Sequence, residues 1–145
     1  MRRILVTLLF VMLGASAAAQ EGTATLSVQV TGLKKQGKVF VYLYDKAKGF
    51  PIKPDLALKK VTVPVETSDT VDAKFDGLVP GDYAVSVVHD ENDNGKIDTT
   101  SIGIPKEGMG VSNKARGFMG PPKFKDAKLP IPAGETAITI PIKYR

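Results

Sequence analysis

From residue 23 onward, apolar and polar residues alternate with period two along most of the chain, the pattern of strands with one buried face. Over 23–30, Ala24, Leu26, Val28 and Val30 share one face, and Thr25, Ser27 and Gln29 the other. Over 38–45 both faces are apolar, with Val39, Val41 and Leu43 against Phe40, Tyr42 and Tyr44. That predicts a central strand covered on both sides. Segment 58–65 sets Val61, Val63 and Val65 against Thr62 and Pro64. Proline lacks the ladder donor, so this segment reads as an edge strand. Segment 71–76 turns Val71, Ala73 and Phe75 inward, and a Gly/Pro turn over 77–81 follows. The strongest strand signal is 82–90, with Tyr83, Val85 and Val87 on one face and Ala84, Ser86 and Val88 on the other. Segments 127–131 and 136–144 close the chain, and Pro141 marks a second edge. Seven short strands separated by turns predict an all-β fold, a seven-stranded antiparallel β-sandwich with one long, ordered Gly/Pro-rich loop over 91–125.

The first 19 residues break the pattern. Arg2 and Arg3 precede an apolar run over 4–13, interrupted only by Thr7, and Ala17, Ala18 and Ala19 follow. This is the layout of a secretory signal peptide, with cleavage expected after Ala19 and a single domain over 20–145. The run falls short of the roughly 20 apolar residues that span a bilayer, and no Cys follows it to carry a lipid. A periplasmic or secreted product with no integral membrane segment after cleavage is expected. Composition narrows the chemistry. The chain has no Cys, which excludes disulfide scaffolds, zinc ribbons, thiol catalysis and iron–sulfur centres, and a single His, which excludes two-histidine sites. Loss of Arg2 and Arg3 leaves 18 basic against 15 acidic residues, a net charge of +3. That is too mild to point to nucleic acid as a partner.

Candidate chemistry concentrates after the 82–90 strand. Asp90, Glu91, Asn92, Asp93, Asn94, Gly95, Lys96, Ile97 and Asp98 follow the first nine positions of a calcium loop, with Gly in sixth place. Ca²⁺ takes six to eight oxygens. Asp90, Asn92 and Asn94 offer them at alternate positions, the Lys96 carbonyl and Asp98 add two more, and Ile97 stands where such loops carry an apolar anchor. The twelfth position, normally a bidentate Glu, is Ser101. Few charges imply weak binding, on the order of 10⁻⁴ to 10⁻³ M. A polar turn built on Asn94-Gly95 fits the same residues.

Residues 99–125 hold five glycines and three prolines, yet also Ile102, Ile104, Met109, Val111, Phe118, Met119 and Phe124, which should tuck onto the sheets. Between 106 and 128 six basic residues face two acidic ones. Lys106, Asn113 and Arg116, with His89, are candidate contacts for an anionic ligand; a packed loop with a solvated basic face is the alternative. His89 is the sole imidazole, but neighbouring strand residues point to opposite faces, so Asp90 is not automatically its partner. No G-x-S-x-G elbow is present. A His at the sheet margin bonding a loop carbonyl is the simpler reading.

These segments together resemble a known family. Val39-Phe40-Val41-Tyr42-Leu43-Tyr44-Asp45 is followed by Phe75-Asp76-Gly77-Leu78-Val79-Pro80-Gly81-Asp82-Tyr83-Ala84-Val85-Ser86-Val87-Val88-His89-Asp90-Glu91-Asn92. Then come Ile102-Gly103-Ile104-Pro105-Lys106-Glu107-Gly108, Ser112-Asn113-Lys114-Ala115-Arg116-Gly117 and Gly120-Pro121-Pro122. The chain resembles the exported bacterial family called domain of unknown function 2141 over nearly all of residues 20–145. The resemblance extends to transthyretin-like and carboxypeptidase-regulatory-like sandwiches, and it implies a transthyretin-like or immunoglobulin-like fold rather than a reaction. Transthyretin-like hydroxyisourate hydrolases end in Tyr-Arg-Gly-Ser and use more than one His; this chain ends Lys143-Tyr144-Arg145 with one. The sequence is therefore read as a non-catalytic extracytoplasmic module with a weak Ca²⁺ loop, whose partner would be an envelope protein or a glycan. A small hydrolase or ligand-binding enzyme centred on His89 and Arg116 is the alternative.

Overall fold

The computed structural model describes residues 22–145; the expected signal peptide and its cleavage site lie outside the described residues. Eight strands run in chain order through the described residues: β1 (Ala24–Thr31), β2 (Gly37–Tyr44), β3 (Lys59–Val65), β4 (Thr70–Leu78), β5 (Gly81–Asp90), β6 (Gly108–Val111), β7 (Leu129–Ile131) and β8 (Gly134–Pro141). One short helix, α1 (Phe124–Ala127), precedes β7. None of the described helices is long and apolar enough to cross a membrane.

The alternation of β1 buries Ala24, Leu26, Val28 and Val30, and this strand lies at the centre of a three-stranded sheet ordered β4-β1-β8. The second sheet has five strands, ordered β3-β2-β5-β6, with β7 on β5 as well. β6 takes the Ser86–His89 stretch of β5 and β7 its first three residues. The Pro-bearing strands β3 and β8 are edges, where the missing N–H costs no ladder bond. Apolar faces of both sheets feed one core: Leu26, Val28 and Phe75 from the first, Val39, Val41, Val85 and Val87 from the second.

The two-sided apolarity of β2 is explained by a second cluster. Phe40, Tyr42, Tyr44 and Val88 pack beneath Phe50, Ala57, Ile97, Met109 and Phe124. Tyr44, Phe50 and Phe124 stack edge to face, with centroids 5.4 and 6.0 Å apart. The Ser86 hydroxyl donates to the Pro51 carbonyl at 2.7 Å, which pins the 45–58 loop to the same face.

Two features differ from the sequence reading. β8 pairs with β1 in parallel, Val28 opposite Ile138 and Val30 opposite Ile140, not antiparallel. The two strands are separated by about a hundred residues, so no hairpin forces opposite directions. β6, inside the long loop, is an additional strand. Its period-two positions are Gly108 and Gly110, and a Cβ there would meet Tyr144 Cε1 at 2.5 Å and Ile140 Cγ2 at 2.6 Å. The inward face of β6 must therefore lack side chains, which hides the strand from a search for apolar alternation.

Candidate functional site

β5 ends on a fully buried carboxylate. Asp90 Oδ1 accepts the Asn94 amide at 3.2 Å and Oδ2 accepts the Gly95 amide at 2.8 Å, so the chain folds back over the strand end. Gly95 takes φ +75, a left-handed conformation that glycine adopts without strain. Asn92 Oδ1 accepts from the Asn94 amide at 3.3 Å, and Asn94 Oδ1 from the Lys96 amide at 2.9 Å. These local bonds set the side chains of positions 90, 92 and 94 on the inside of the curl. Asp98 closes it: its Oδ2 accepts the side-chain amides of Asn92 at 2.7 Å and Asn94 at 2.9 Å. Those donors hold the Asp98 carboxyl below the usual carboxylate range. Ile97 sits against the outer aromatic cluster and anchors the loop to the sheet.

The twelfth position, Ser101, is exposed and takes no part. Another acid arrives in its place. Thr99 pairs with Pro105, the Lys106 amide donates to the Asp98 carbonyl at 2.9 Å, and this small hairpin returns the chain to Glu107. Glu107 is only 7% exposed. Its Oε2 accepts the Asp98 amide at 3.2 Å, while Oε1 is buried with no hydrogen-bond partner. Burial pushes the Glu107 carboxyl up to about 7; the Asp98 amide opposes this, and the charges of Asp90 and Asp98, with a carboxyl–carboxyl contact to Asp90, reinforce it. Glu107 was not among the residues singled out from sequence. The available signal was that it is the one acidic residue between Asp98 and Asp126.

Asn92, Asn94, Asp98 and Glu107 line an open cleft of about 440 Å³, with Glu91, Thr99 and Lys106 at its margin. Glu91 is paired with Lys35 at 3.0 Å and Asp93 with Lys38 at 2.7 Å, which ties the loop rim to the start of β2. Among the described residues no three His, Asp or Glu side chains already stand in an arrangement that could hold a metal ion. The oxygen-bearing side chains that line the cleft are the amides of Asn92 and Asn94, both donating to Asp98, and the carboxylates of Asp98 and Glu107.

The anion candidates are dispersed. Lys106 borders the cleft. The Asn113 side-chain amide donates to the Asp126 carbonyl at 2.9 Å and closes a neighbouring loop. Arg116 is exposed. His89 lies on the inner face, fully buried. Its Nδ1 is 2.7 Å from the Tyr144 hydroxyl and its Nε2 is 3.2 Å from the Gln36 carbonyl. A carbonyl can only accept, so Nε2 carries the proton and Nδ1 accepts from Tyr144. Burial lowers the His89 pKa, which favours the neutral ring, against the opposing pull of the Gln36 carbonyl. Both nitrogens are thus committed, and no hydrogen bond joins His89 to Asp90 or Arg116 among the described residues. The imidazole fastens the C-terminal segment, where Met109 and Lys143 exchange main-chain bonds of 3.0 and 2.9 Å, to β5 and the 33–36 turn.

No curated protein and no solved structure matches the chain. The family model described as an uncharacterized protein conserved in bacteria (DUF2141) matches residues 28–139, from within β1 to within β8 and across the whole Asp/Asn loop and the Glu107 hairpin, and the chain belongs to that family.

Proposed function

We propose that the protein is a non-catalytic β-sandwich binding module of the periplasm or extracellular space, whose long loop is organised by a weakly held Ca²⁺. The sandwich reading is supported by two sheets contributing to one core. The extracytoplasmic reading is supported by the charged, apolar and small-residue order of residues 1–19. The cation reading rests on one observation above others: Glu107 Oε1 is buried with no donor, against the Asp90 carboxylate and beside a cleft lined by Asn92, Asn94 and Asp98. A cation there would neutralise crowded carboxylates and draw the amide oxygens of Asn92 and Asn94 inward, with the Lys96 carbonyl as a further ligand. Its role would be to lock the root of the 91–125 excursion onto β5 and β6, presenting the remainder of the loop to an envelope protein or a glycan.

Thermal melting in chelator and in CaCl₂ tests this. At ten times Kd, selective binding to the folded state stabilises by about 1.4 kcal/mol. In a domain of this size that raises Tm by roughly 3–6 °C. An unchanged midpoint at several millimolar Ca²⁺ removes the cation from the account.

A further inference from the structure

The segment 114–125 leaves the sheets and returns to them as a closed finger. Its feet are joined by the hydrogen bond from Asn113 to the Asp126 carbonyl. Its root is fixed by Ser112, whose hydroxyl accepts the Val85 amide at 2.9 Å and donates to the Ala127 carbonyl at 2.7 Å. Phe124 packs against Phe50 and seats the returning limb. At the tip the chain turns so tightly that a Cβ on Gly117 would collide with the Gly120 carbonyl. Met119 takes φ +54, an uncommon conformation for a bulky residue. Pro121 and Pro122 stiffen the way back. The result is that Phe118 and Met119 stand 92% and 94% exposed, the most exposed large hydrophobic residues among those described.

Charge around the tip has one sign. Lys114, Arg116, Lys123 and Lys125 fall within the finger, and no acidic residue does. All four are exposed, and none forms a salt bridge among the described residues. A strained turn that holds two large apolar side chains in water, inside a collar of unpaired cations, is costly in isolation and calls for a partner that takes both.

We infer that this finger docks on an anionic phospholipid bilayer, with Phe118 and Met119 entering the boundary between headgroups and acyl chains and the four cations lying against lipid phosphates. Two side chains are too few to form the core of a stable protein interface, which takes about 800 Å² from each partner. They suffice for a bilayer, where a small apolar insertion is combined with electrostatic attraction. Each basic residue near an anionic surface multiplies partitioning roughly fivefold, so the collar accounts for two to three orders of magnitude. This does not rest on the cation site.

The absence of Trp from the sequence supplies the probe. Phe118→Trp in the full chain places a single indole at the tip. Its emission is followed as vesicles of phosphatidylglycerol with phosphatidylcholine, or of phosphatidylcholine alone, are added. Val79→Trp, at an exposed site on the β4–β5 turn, reports on contact elsewhere. The expected result is a blue shift for Phe118→Trp with anionic vesicles only, and none for Val79→Trp. Adding Lys114→Gln, Arg116→Gln, Lys123→Gln and Lys125→Gln to Phe118→Trp should raise the lipid needed at least a hundredfold, with an unchanged melting midpoint confirming the fold. The inference is overturned by no shift at position 118, by an equal shift at position 79, by equal response to neutral vesicles, or by a charge-neutral finger that still inserts. The first of these would turn attention to a protein partner.

Discussion

Glu107→Gln should stabilise the protein without calcium and weaken its response to calcium. In the calcium-free protein the Glu107 carboxylate is buried, accepts one amide and stands near Asp90 and Asp98. Its carboxyl ordinarily titrates at 4.5 and is pushed up to about 7 in the fold. Between those values the folded state holds a proton that the unfolded state has released, so stability falls as pH rises through that window. Above the folded value the full penalty applies, on the order of 3 kcal/mol if the carboxylate finds no compensation. Glutamine keeps the acceptor for the Asp98 amide, removes the charge and adds donors toward the neighbouring carboxylates. In chelator at about pH 8 the variant should therefore be more stable by roughly 1–3 kcal/mol, a rise in Tm of about 3–10 °C. The difference should shrink toward about pH 5, where the wild-type carboxyl is protonated in the fold. Calcium should narrow that advantage by about 1 kcal/mol, because the variant has lost a charged ligand. The wild type gains about 1.4 kcal/mol at ten times its Kd, and a tenfold weaker variant gains about 0.4 kcal/mol. Melting both proteins over pH in chelator and in CaCl₂ gives all four corners. A variant less stable than wild type in chelator at about pH 8, or an equal calcium response in both, would refute the assignment of Glu107 to the cation.

Two further predictions concern the parts that hold the site in place. Tyr144→Phe leaves the buried His89 Nδ1 and the Lys34 amide without their partner and should cost about 1–3 kcal/mol by chemical denaturation; wild-type stability would show that the hydroxyl does not fasten the C-terminus. Burial, the largest cause, pushes Tyr42 and Tyr44 up to about 12, so the folded state keeps protons that the unfolded chain loses near pH 10. Stability should be intact below about pH 10 and decline between about 10 and 12, with tyrosinate absorbance and unfolding rising together; full ionisation of both rings in a still-folded protein would contradict the packing of the outer cluster.

Much of this arrangement is written in local patterns. β1 and β4 follow from strict alternation, and β2 and β5 from runs buried on both faces, which foretell the cover supplied by Phe50 and Phe124. The Asp90 curl is legible because its donors recur at every second position around a residue that must take positive φ. What local pattern does not carry is pairing across distance. The parallel match of β8 to β1 joins opposite ends of the fold. β6 is concealed because its inward face is glycine, cut back to admit Tyr144, Ile140 and Ile142. Glu107 reaches the curl only through the Thr99–Pro105 pairing, a register that spacing arithmetic for a twelve-residue loop does not anticipate. The face of His89 follows from alternation, but its partner Tyr144 lies 55 positions away. Apolar character alone predicts that Ile102, Phe118 and Met119 tuck onto the sheets; all three stand exposed, and the tight Gly117–Gly120 closure turns the latter two outward.

The cation claim meets its most direct test in a crystal structure of the protein grown with calcium. Anomalous density should appear as one peak inside the 90–98 curl. Oxygens of Asp90, Asn92, Asn94, Asp98 and Glu107 and the Lys96 carbonyl should lie roughly 2.3–2.6 Å from it. Saturating calcium with no peak there, the Asn92 and Asn94 amides still turned onto Asp98 and Glu107 Oε1 still unpaired, would contradict the account.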